Sequence, residues 1–124
     1  MGVETFFFDS YAFFEIAEGN PNYERFTKNI AIVTTRLNLM ELFYGLLIKY
    51  DKQIANHFYD ALVQFCVDID DAVIKEAVLF RALNRRRHLS YVDCIGYVLA
   101  QQRHIPFLTG DEQFKSMENV VFVP

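Results

Sequence analysis

Short apolar runs alternate with longer segments of helical periodicity along the chain. Five runs of about four residues have the length of buried strands: 5–8, 31–34, 66–69, 106–109 and 120–123. Six further segments have helical character: 11–18, 37–50, 57–65, 71–87, 112–117 and one that begins at Ser90. This alternation, with short loops, predicts an α/β fold in which a mostly parallel five-stranded sheet is covered by helices on both faces.

The segment at 37–50 is apolar on almost every face and is therefore predicted to be a central helix that is buried on most sides. Glu41 interrupts it, and no Lys or Arg lies three or four residues away. Because a carboxylate that loses water needs a cation or hydrogen-bond donors, a partner from elsewhere in the chain is expected. Gly45, one turn further on, is expected to leave space on the same face.

Three other acids have positions that suggest a shared site. Asp9 directly follows the first predicted strand, and Asp111 comes two residues after the fourth. The carboxyl ends of parallel strands meet at one edge of the sheet, where ligands bind, so both acids are expected there. Asp93 lies in the first turn of the helix that begins at Ser90, but a complete helix separates it from the third predicted strand. The pattern alone therefore does not place Asp93.

Helix capping is the alternative explanation for these three acids. Asp is a preferred N-cap, worth about 0.5 to 2 kcal/mol over Ala, and both Asp9 and Asp111 precede predicted helices. Ser90 and Asp93 have the spacing of a capping box. Taken singly, each acid is better explained as a cap. Capping does not account for Glu41, so the four acids together favour a common site.

Carboxylates that lie close together raise one another's pKa unless a cation compensates their charge. Oxygen ligands favour Mg²⁺ or Mn²⁺, and the histidines at 57, 88 and 104 lack the paired spacing of a zinc site. An acid cluster that leaves water positions open on a metal is suited to activating water and to stabilising the charge of a phosphodiester during hydrolysis.

Composition limits the possible functions. The 124 residues are 52% apolar, which is typical of a single domain spanning 1–124. The net charge of -4 argues against a protein that coats nucleic acid through bulk charge. No apolar segment approaches the roughly 20 residues needed to span a bilayer, and no signal-peptide pattern is present. Two cysteines in apolar segments, Cys66 and Cys94, are expected to be buried free thiols, so a cytoplasmic location is predicted.

One basic cluster offers a local surface for a nucleic-acid backbone, and it consists of Arg81, Arg85, Arg86, Arg87 and His88. Arg86 and Arg87 are the predicted phosphate contacts, whereas Arg81 and Arg85 are equally well explained as a solvated helix end. Tyr11, Phe13 and Tyr91 are candidate stacking surfaces. The 13 Phe and 7 Tyr residues are numerous for a small domain, so some are expected at an interface with a second copy or with a partner.

Four short motifs in order resemble those of the PIN-domain nucleases, in particular the VapC-type toxins of toxin-antitoxin pairs. They are FFFDS at 6–10, ELFYG at 41–45, YVDCI at 91–95 and LTGDEQF at 108–114. The resemblance covers nearly the whole chain. Two positions depart from it: Asn38 stands where relatives often have Ser or Thr, and Lys115 where some have a further acid.

The resemblance implies a three-layer PIN-like fold with a central five-stranded parallel sheet, a Mg²⁺- or Mn²⁺-dependent endoribonuclease, and a VapB-type antitoxin that inhibits it. A homodimer is also expected. The resemblance further implies that four acids are metal ligands and catalytic residues: Asp9, Glu41, Asp93 and Asp111. Ser10 and Thr109 match small hydroxyl positions that support the acids by orienting ligands or metal-bound water.

Two other functions are consistent with parts of the sequence. In a phosphoacceptor signalling module, Asp68 and Asp70 would follow the third strand and Thr109 the fourth. That module also needs an acid pair after the first strand and a Lys after the fifth, and the chain has neither. A PIN-like protein that binds RNA or a partner without cutting is the second alternative. Loss of an acid would indicate it, and none of the four is missing.

Overall fold

The computed structural model describes residues 2–124. Within them, strands and α-helices follow one another as β1 (Glu4–Phe8), α1 (Ser10–Ala17), β2 (Ile30–Val33), α2 (Arg36–Lys49), α3 (Lys52–Leu62), α4 (Asp71–Leu83), α5 (Tyr91–Gln102), β3 (Phe107–Thr109) and β4 (Val120–Phe122). Short 3₁₀ helices span Pro21–Phe26, Val63–Phe65, Arg85–Arg87 and Glu112–Phe114.

The strands form one parallel sheet in the order β2-β1-β3-β4. Alternate residues of β1 point to opposite faces, as the two-residue period of a strand requires. Phe6 and Phe8 pack with residues of α1, α2 and α3, whereas Phe7 packs with residues of α4 and α5. Helices therefore cover both faces of a parallel sheet, and the predicted three-layer α/β fold is confirmed.

The prediction of five strands is wrong, because the sheet formed by the described residues has four strands and lacks the one predicted at 66–69. The segment at 66–69 makes only an isolated bridge, between Cys66 and Thr34. Its pairing ends where Asp68 turns to solvent and the chain leads to Asp70, whose side chain caps the N-terminus of α4. A two-residue contact with the edge of the sheet does not extend into a ladder.

Several predicted helix boundaries also differ from the structure. The helix predicted at 57–65 begins earlier, at Lys52, because the Asp51 carboxylate accepts a hydrogen bond from the Ile54 N–H and caps it. The helix predicted at 71–87 ends at Leu83. The helix predicted at 112–117 is a single 3₁₀ turn, Glu112–Phe114.

The prediction that the central helix is buried on most sides is wrong. In α2, four large apolar side chains are 38–69% exposed: Met40, Tyr44, Leu47 and Ile48. We call these four the α2 apolar face. The helix packs mainly on α1 and α3, so only one side of it is covered. A second exposed set, the α4 apolar face, consists of Ile74, Val78, Leu79 and Leu83.

Within residues 2–124, no helix combines the length and the apolar character needed to cross a bilayer. Both cysteines are free; Cys94 is buried as predicted, but Cys66 is only partly buried.

Candidate functional site

One pocket of about 300 Å³ is lined by all four predicted acids. It lies at the carboxyl ends of β1 and β3, the two central strands of the sheet. Its lining residues are Asp9, Ser10, Tyr11, Phe14, Glu15, Glu41, Leu42, Asp93 and Asp111. The sheet edge thus gathers side chains that are up to 102 positions apart in sequence, as the strand pattern predicts for Asp9 and Asp111.

Asp9 is the most buried of the four acids, at 2% exposure. Its Oδ1 accepts a 2.8 Å hydrogen bond from the Ser10 N–H, which caps α1, and its Oδ2 accepts a 2.7 Å bond from the Thr109 hydroxyl. Burial, and next the charge of Asp93, raises the pKa of Asp9 from 3.8 to about 7, although both hydrogen bonds oppose the shift. In the metal-free protein Asp9 therefore holds a proton over part of the neutral pH range.

Glu41 is half-buried and projects from α2 toward the same pocket. Its Oε1 accepts a 2.7 Å hydrogen bond from the Ser10 hydroxyl. Burial raises the pKa of Glu41, the bond from Ser10 opposes this, and the charge of Asp93 adds to it. No Lys or Arg neutralises Glu41, because the one ion pair within the described range joins Lys49 to Glu18. The partner found for Glu41 is thus a serine hydroxyl, while the nearby acids add to its charge instead of compensating it.

Gly45 does not create space for a ligand, contrary to the prediction. A Cβ at this position would lie 2.8 Å from Cε2 of the Phe14 ring. The missing side chain instead lets α2 pack closely on α1. Since Phe14 lines the pocket, this close packing fixes one of its walls.

Asp93 and Asp111 are helix caps as well as pocket residues. The Asp93 Oδ2 accepts a 2.9 Å bond from the Ser90 N–H, and Ser90 Oγ accepts a 3.0 Å bond from the Asp93 N–H, which completes the capping box. The Asp111 Oδ1 accepts a 2.9 Å bond from the Gln113 N–H. Each cap uses one carboxylate oxygen and leaves the other available, so capping and a shared site are compatible.

Like-charge repulsion connects the four acids. Burial raises the pKa of Asp93, Ser90 opposes this through its hydrogen bonds, and the charge of Asp111 adds to it. Asp93 in turn raises the pKa of both Asp9 and Glu41. A divalent cation would offset this repulsion, and an all-carboxylate donor set fits Mg²⁺ or Mn²⁺.

The acids are near one another but do not form a closed coordination shell. Across residues 2–124, no three acidic, histidine or cysteine side chains are already arranged to hold one metal ion. Their present hydrogen bonds to Ser10, Thr109, Ser90 and Gln113 hold them at the walls of the pocket. The donor set therefore fits the chemistry of a divalent cation, while movements of these side chains are needed to close on one.

The two predicted supporting hydroxyls both contact the acids. Ser10 donates to Glu41, and Thr109 donates to Asp9 while accepting a 3.1 Å bond from the Asp111 N–H. Thr109 is completely buried and links two acids that lie on different strand ends.

Several pocket residues were not predicted as site residues. Phe14, Glu15 and Leu42 line the pocket, as does Tyr11, which the sequence suggests only as a stacking surface. Tyr11 and Glu15 are four residues apart on α1, so they lie on the same side of this helix. The N-cap of the helix is Asp9, and both side chains line the pocket that contains it. Asn38 was also not predicted as a site residue; the available sequence signal was an amide three residues before Glu41 on an apolar helix, and the structure shows this amide to be fully buried.

The basic cluster reaches the site mainly through Arg87. Its Nη1 donates a 3.2 Å bond to the Gln113 carbonyl, in the turn that carries Asp111. Arg86 is exposed. Arg81 stacks on the exposed Tyr91 ring with a guanidinium-to-centroid distance of 4.2 Å. Phe13 is only 3% exposed, so its proposed role as a stacking surface is wrong.

The residues considered for phosphoacceptor signalling do not meet. Asp68 and Asp70 lie outside the pocket, and Asp70 caps α4 through a bond from the Val73 N–H. Thr109 is buried and donates to Asp9. The arrangement does not favour that alternative.

Comparison with known proteins agrees with this architecture. VapC20 of Mycobacterium tuberculosis, described as a toxin that cleaves the sarcin-ricin loop, has a similar fold with a TM-score of 0.80 at 15% identity, covering 96% of this chain and 99% of that one. A toxin-antitoxin complex of Klebsiella pneumoniae gives 0.74 at 18% identity, with 93% and 94% coverage.

VapBC2 of Rickettsia felis, whose structure was solved with a DNA fragment of its promoter, gives a TM-score of 0.69 at 17% identity, with 95% and 96% coverage. No curated protein sequence matches the chain significantly. The family model of the PIN domain matches residues 6–120, which is most of the chain and includes all four acids of the pocket. The chain therefore belongs to the PIN domain family.

Proposed function

We propose that this protein is a Mg²⁺- or Mn²⁺-dependent endoribonuclease, the toxin of a VapBC-type pair, in which residues 1–124 act as one PIN domain. The observation that carries the proposal is the pocket lined by Asp9, Glu41, Asp93 and Asp111, with no basic side chain among its lining residues. Four carboxylates without a counter-ion from the protein are suited to hold a cation.

The four acids would hold the metal, which on binding supplies water activation and charge stabilisation for phosphodiester hydrolysis. The residues of this chain supply the positioning. Ser10 orients Glu41, and Thr109 orients Asp9 and fixes the backbone at Asp111. The raised pKa of Asp9 means that this group releases a proton when a cation binds near neutral pH.

The substrate is single-stranded or structured RNA, held beside the pocket by Arg86 and Arg87. Arg87 is anchored to the turn that carries Asp111, and Arg86 projects to solvent where it can contact a phosphate. The exposed Tyr91 ring, stacked on Arg81, offers a surface for a base two residues from Asp93.

The exposed apolar faces are suited to protein partners. The α2 apolar face is on the helix whose Glu41 and Leu42 line the pocket, so an antitoxin bound there would be able to block the site. The α4 apolar face is separate and suits a second copy of the chain. A monomeric mass by light scattering would exclude the homodimer.

Two free cysteines are consistent with the reducing conditions of the cytoplasm.

The direct test is cleavage of single-stranded RNA by purified protein with MgCl₂ or MnCl₂. We expect chelator to abolish cleavage, and Asp9→Asn or Asp93→Asn to reduce it to background, because each removes a carboxylate from the pocket. Asp68→Asn is the matched control, since Asp68 is exposed and outside the pocket. Equal activity in the Asp9 and Asp93 variants would identify a contaminating nuclease.

A PIN-domain protein that binds RNA without cutting is the second candidate. It is favoured by the side-chain arrangement, in which no three acids of the described chain are poised around one ion. Binding of RNA without cleavage in any divalent metal, unchanged in Asp9→Asn, would support this candidate over the nuclease.

A further inference from the structure

Asn38 is a fully buried polar residue of α2 that does not line the acid pocket. It lies three residues before Glu41, one helical turn away. Its Nδ2 donates a 3.1 Å hydrogen bond to Ser10 Oγ, and Ser10 Oγ lies 2.7 Å from Glu41 Oε1. A buried amide is costly unless its polar atoms are satisfied, so its partners explain why an Asn is tolerated here.

The hydrogen-bond directions follow from the orientation of the Asn38 side-chain amide. The Asn38 N–H donates to Thr35 Oγ1 at 3.3 Å, so the Thr35 hydroxyl proton is free to go to Asn38 Oδ1, 2.6 Å away. With its oxygen facing Thr35, the amide presents Nδ2 to Ser10. An amide nitrogen only donates, and therefore Ser10 Oγ accepts there.

Ser10 then has a single proton to donate. Two acceptors are within reach of the Ser10 hydroxyl: Glu41 Oε1 at 2.7 Å and the backbone carbonyl oxygen of Asn38 at 3.2 Å. The shorter bond, to a carboxylate, is the stronger one. Because Ser10 Oγ accepts from Asn38, its own proton points toward Glu41. Hydrogen bonds therefore run in one direction, from Asn38 to Ser10 and from Ser10 to Glu41, which lines the pocket.

We propose that Asn38 is a positioning residue that acts through Ser10 to hold the Glu41 carboxylate at the pocket, which limits the rearrangement that Glu41 makes on binding the metal. This role rests on the proposed metal-dependent function. Residues that orient metal ligands through hydrogen bonds commonly change metal affinity by about 10- to 100-fold when they are removed. A merely structural amide would change stability without this effect on metal affinity.

A double-mutant cycle at Asn38 and Ser10, in which the dissociation constant of Mn²⁺ is measured, tests the positioning role of Asn38. Calorimetric titration with MnCl₂ is carried out on the full chain, below the melting temperature of every variant. Asn38→Leu and Ser10→Ala are each expected to weaken Mn²⁺ binding on the order of tenfold. The double variant should bind within about twofold of Ser10→Ala, because Asn38 acts only through Ser10.

Leu46→Ala is the control for loss of stability, since Leu46 is equally buried in α2 but lies outside this hydrogen-bond chain. We expect it to lower the melting temperature and leave Mn²⁺ affinity unchanged. Wild-type affinity in Asn38→Leu, or fully independent effects in the double variant, would overturn the positioning role while the nuclease proposal stands. Failure of the wild-type protein to bind Mn²⁺, with or without RNA, would overturn both.

Discussion

At the scale of single residues, the acid pocket combines two roles that sequence patterns usually separate. Asp9, Asp93 and Asp111 each accept a hydrogen bond from a backbone N–H at the start of a helical turn. They also repel one another, and burial raises the pKa of Asp9 and of Asp93. Capping holds the carboxylates in place, and their mutual repulsion in the pocket makes a cation favourable there.

The raised pKa of Asp9 predicts that the metal-free protein becomes less stable as the pH rises. The folded protein binds this proton with a pKa of about 7, against 3.8 for an unperturbed group. The stabilisation is complete below about pH 4, where it amounts to about 4 kcal/mol for this group, and it is lost progressively until the pH passes about 7, so that the loss between pH 5 and pH 8 is about 2.5 kcal/mol. Urea unfolding at pH 5 and pH 8 in the presence of chelator measures the difference.

Asp9→Asn should remove most of this pH dependence, since its side chain does not ionise. Asp68→Asn, which changes an exposed acid, should keep the wild-type profile. Parallel pH profiles for Asp9→Asn and the wild-type protein would show that Asp9 is already ionised at neutral pH without metal.

At the scale of secondary-structure elements, the site depends on how closely α1, β3 and β4 approach one another. Gly110 follows β3 and precedes Asp111. A Cβ there would lie 2.2 Å from the Val123 carbonyl oxygen and 2.4 Å from the Tyr11 ring. The Val123 carbonyl also accepts a 2.6 Å bond from Tyr23, so it has little freedom to move. Glycine at this position lets the turn that carries Asp111 lie against the rest of the pocket.

Gly110→Ala is therefore expected to destabilise the fold and to displace Asp111. We expect a loss of about 1 to 3 kcal/mol in the free energy of unfolding, as for other overpacked sites. A displacement of about 1 Å in a catalytic group can lower the rate by about 100-fold. Denaturant unfolding and RNA cleavage by the folded variant measure the two effects.

Gly2→Ala is the matched control, because a Cβ at Gly2 meets no atom within 4 Å. It should behave like the wild-type protein in both assays. Unchanged activity in Gly110→Ala would mean that the turn can shift without moving Asp111, and that the close approach has no bearing on the site.

At the scale of the whole molecule, the protein has a net charge of -4 and an acidic pocket, yet its proposed substrate is a polyanion. RNA binding must then depend on local positive charge and on a cation in the pocket. The 85–87 turn places three arginines at one position on the surface, and Arg87 ties that turn to the Asp111 turn. We therefore expect RNA affinity to depend more on where the positive side chains lie than on the net charge of the protein.

Arg86→Ala is expected to weaken RNA binding and to lower the slope of log affinity against log salt by about 1, as for the loss of one phosphate contact. Filter binding with the inactive Asp93→Asn background at several salt concentrations measures the slope. Arg103→Ala is the matched control, because Arg103 is exposed at the C-terminal end of α5, the end opposite to Asp93. Equal slopes in the two arginine variants would place the RNA elsewhere.

The sequence alone was sufficient for the α/β class, the parallel sheet and the sheet edge at which Asp9 and Asp111 lie. Periodicity depends on neighbours in the chain, and strands that are joined by helices and run parallel have their carboxyl ends at the same edge of the sheet. It also indicated that Glu41 needs a partner, because an acid on an apolar helix needs one wherever the helix packs. The order of the four motifs pointed to the PIN domain family.

Only the tertiary structure determined the rest, because those features depend on contacts between distant segments. The segment at 66–69 has strand composition, but a single bridge at the sheet edge does not make a strand. The α2 apolar face is indistinguishable from a buried helix face in sequence, since burial depends on which neighbours pack against it. A series of hydrogen bonds runs from Thr35 through Asn38 and Ser10 to Glu41 and joins α2 to α1. Ser10 and Glu41 are 31 positions apart in sequence, so only folding brings them together.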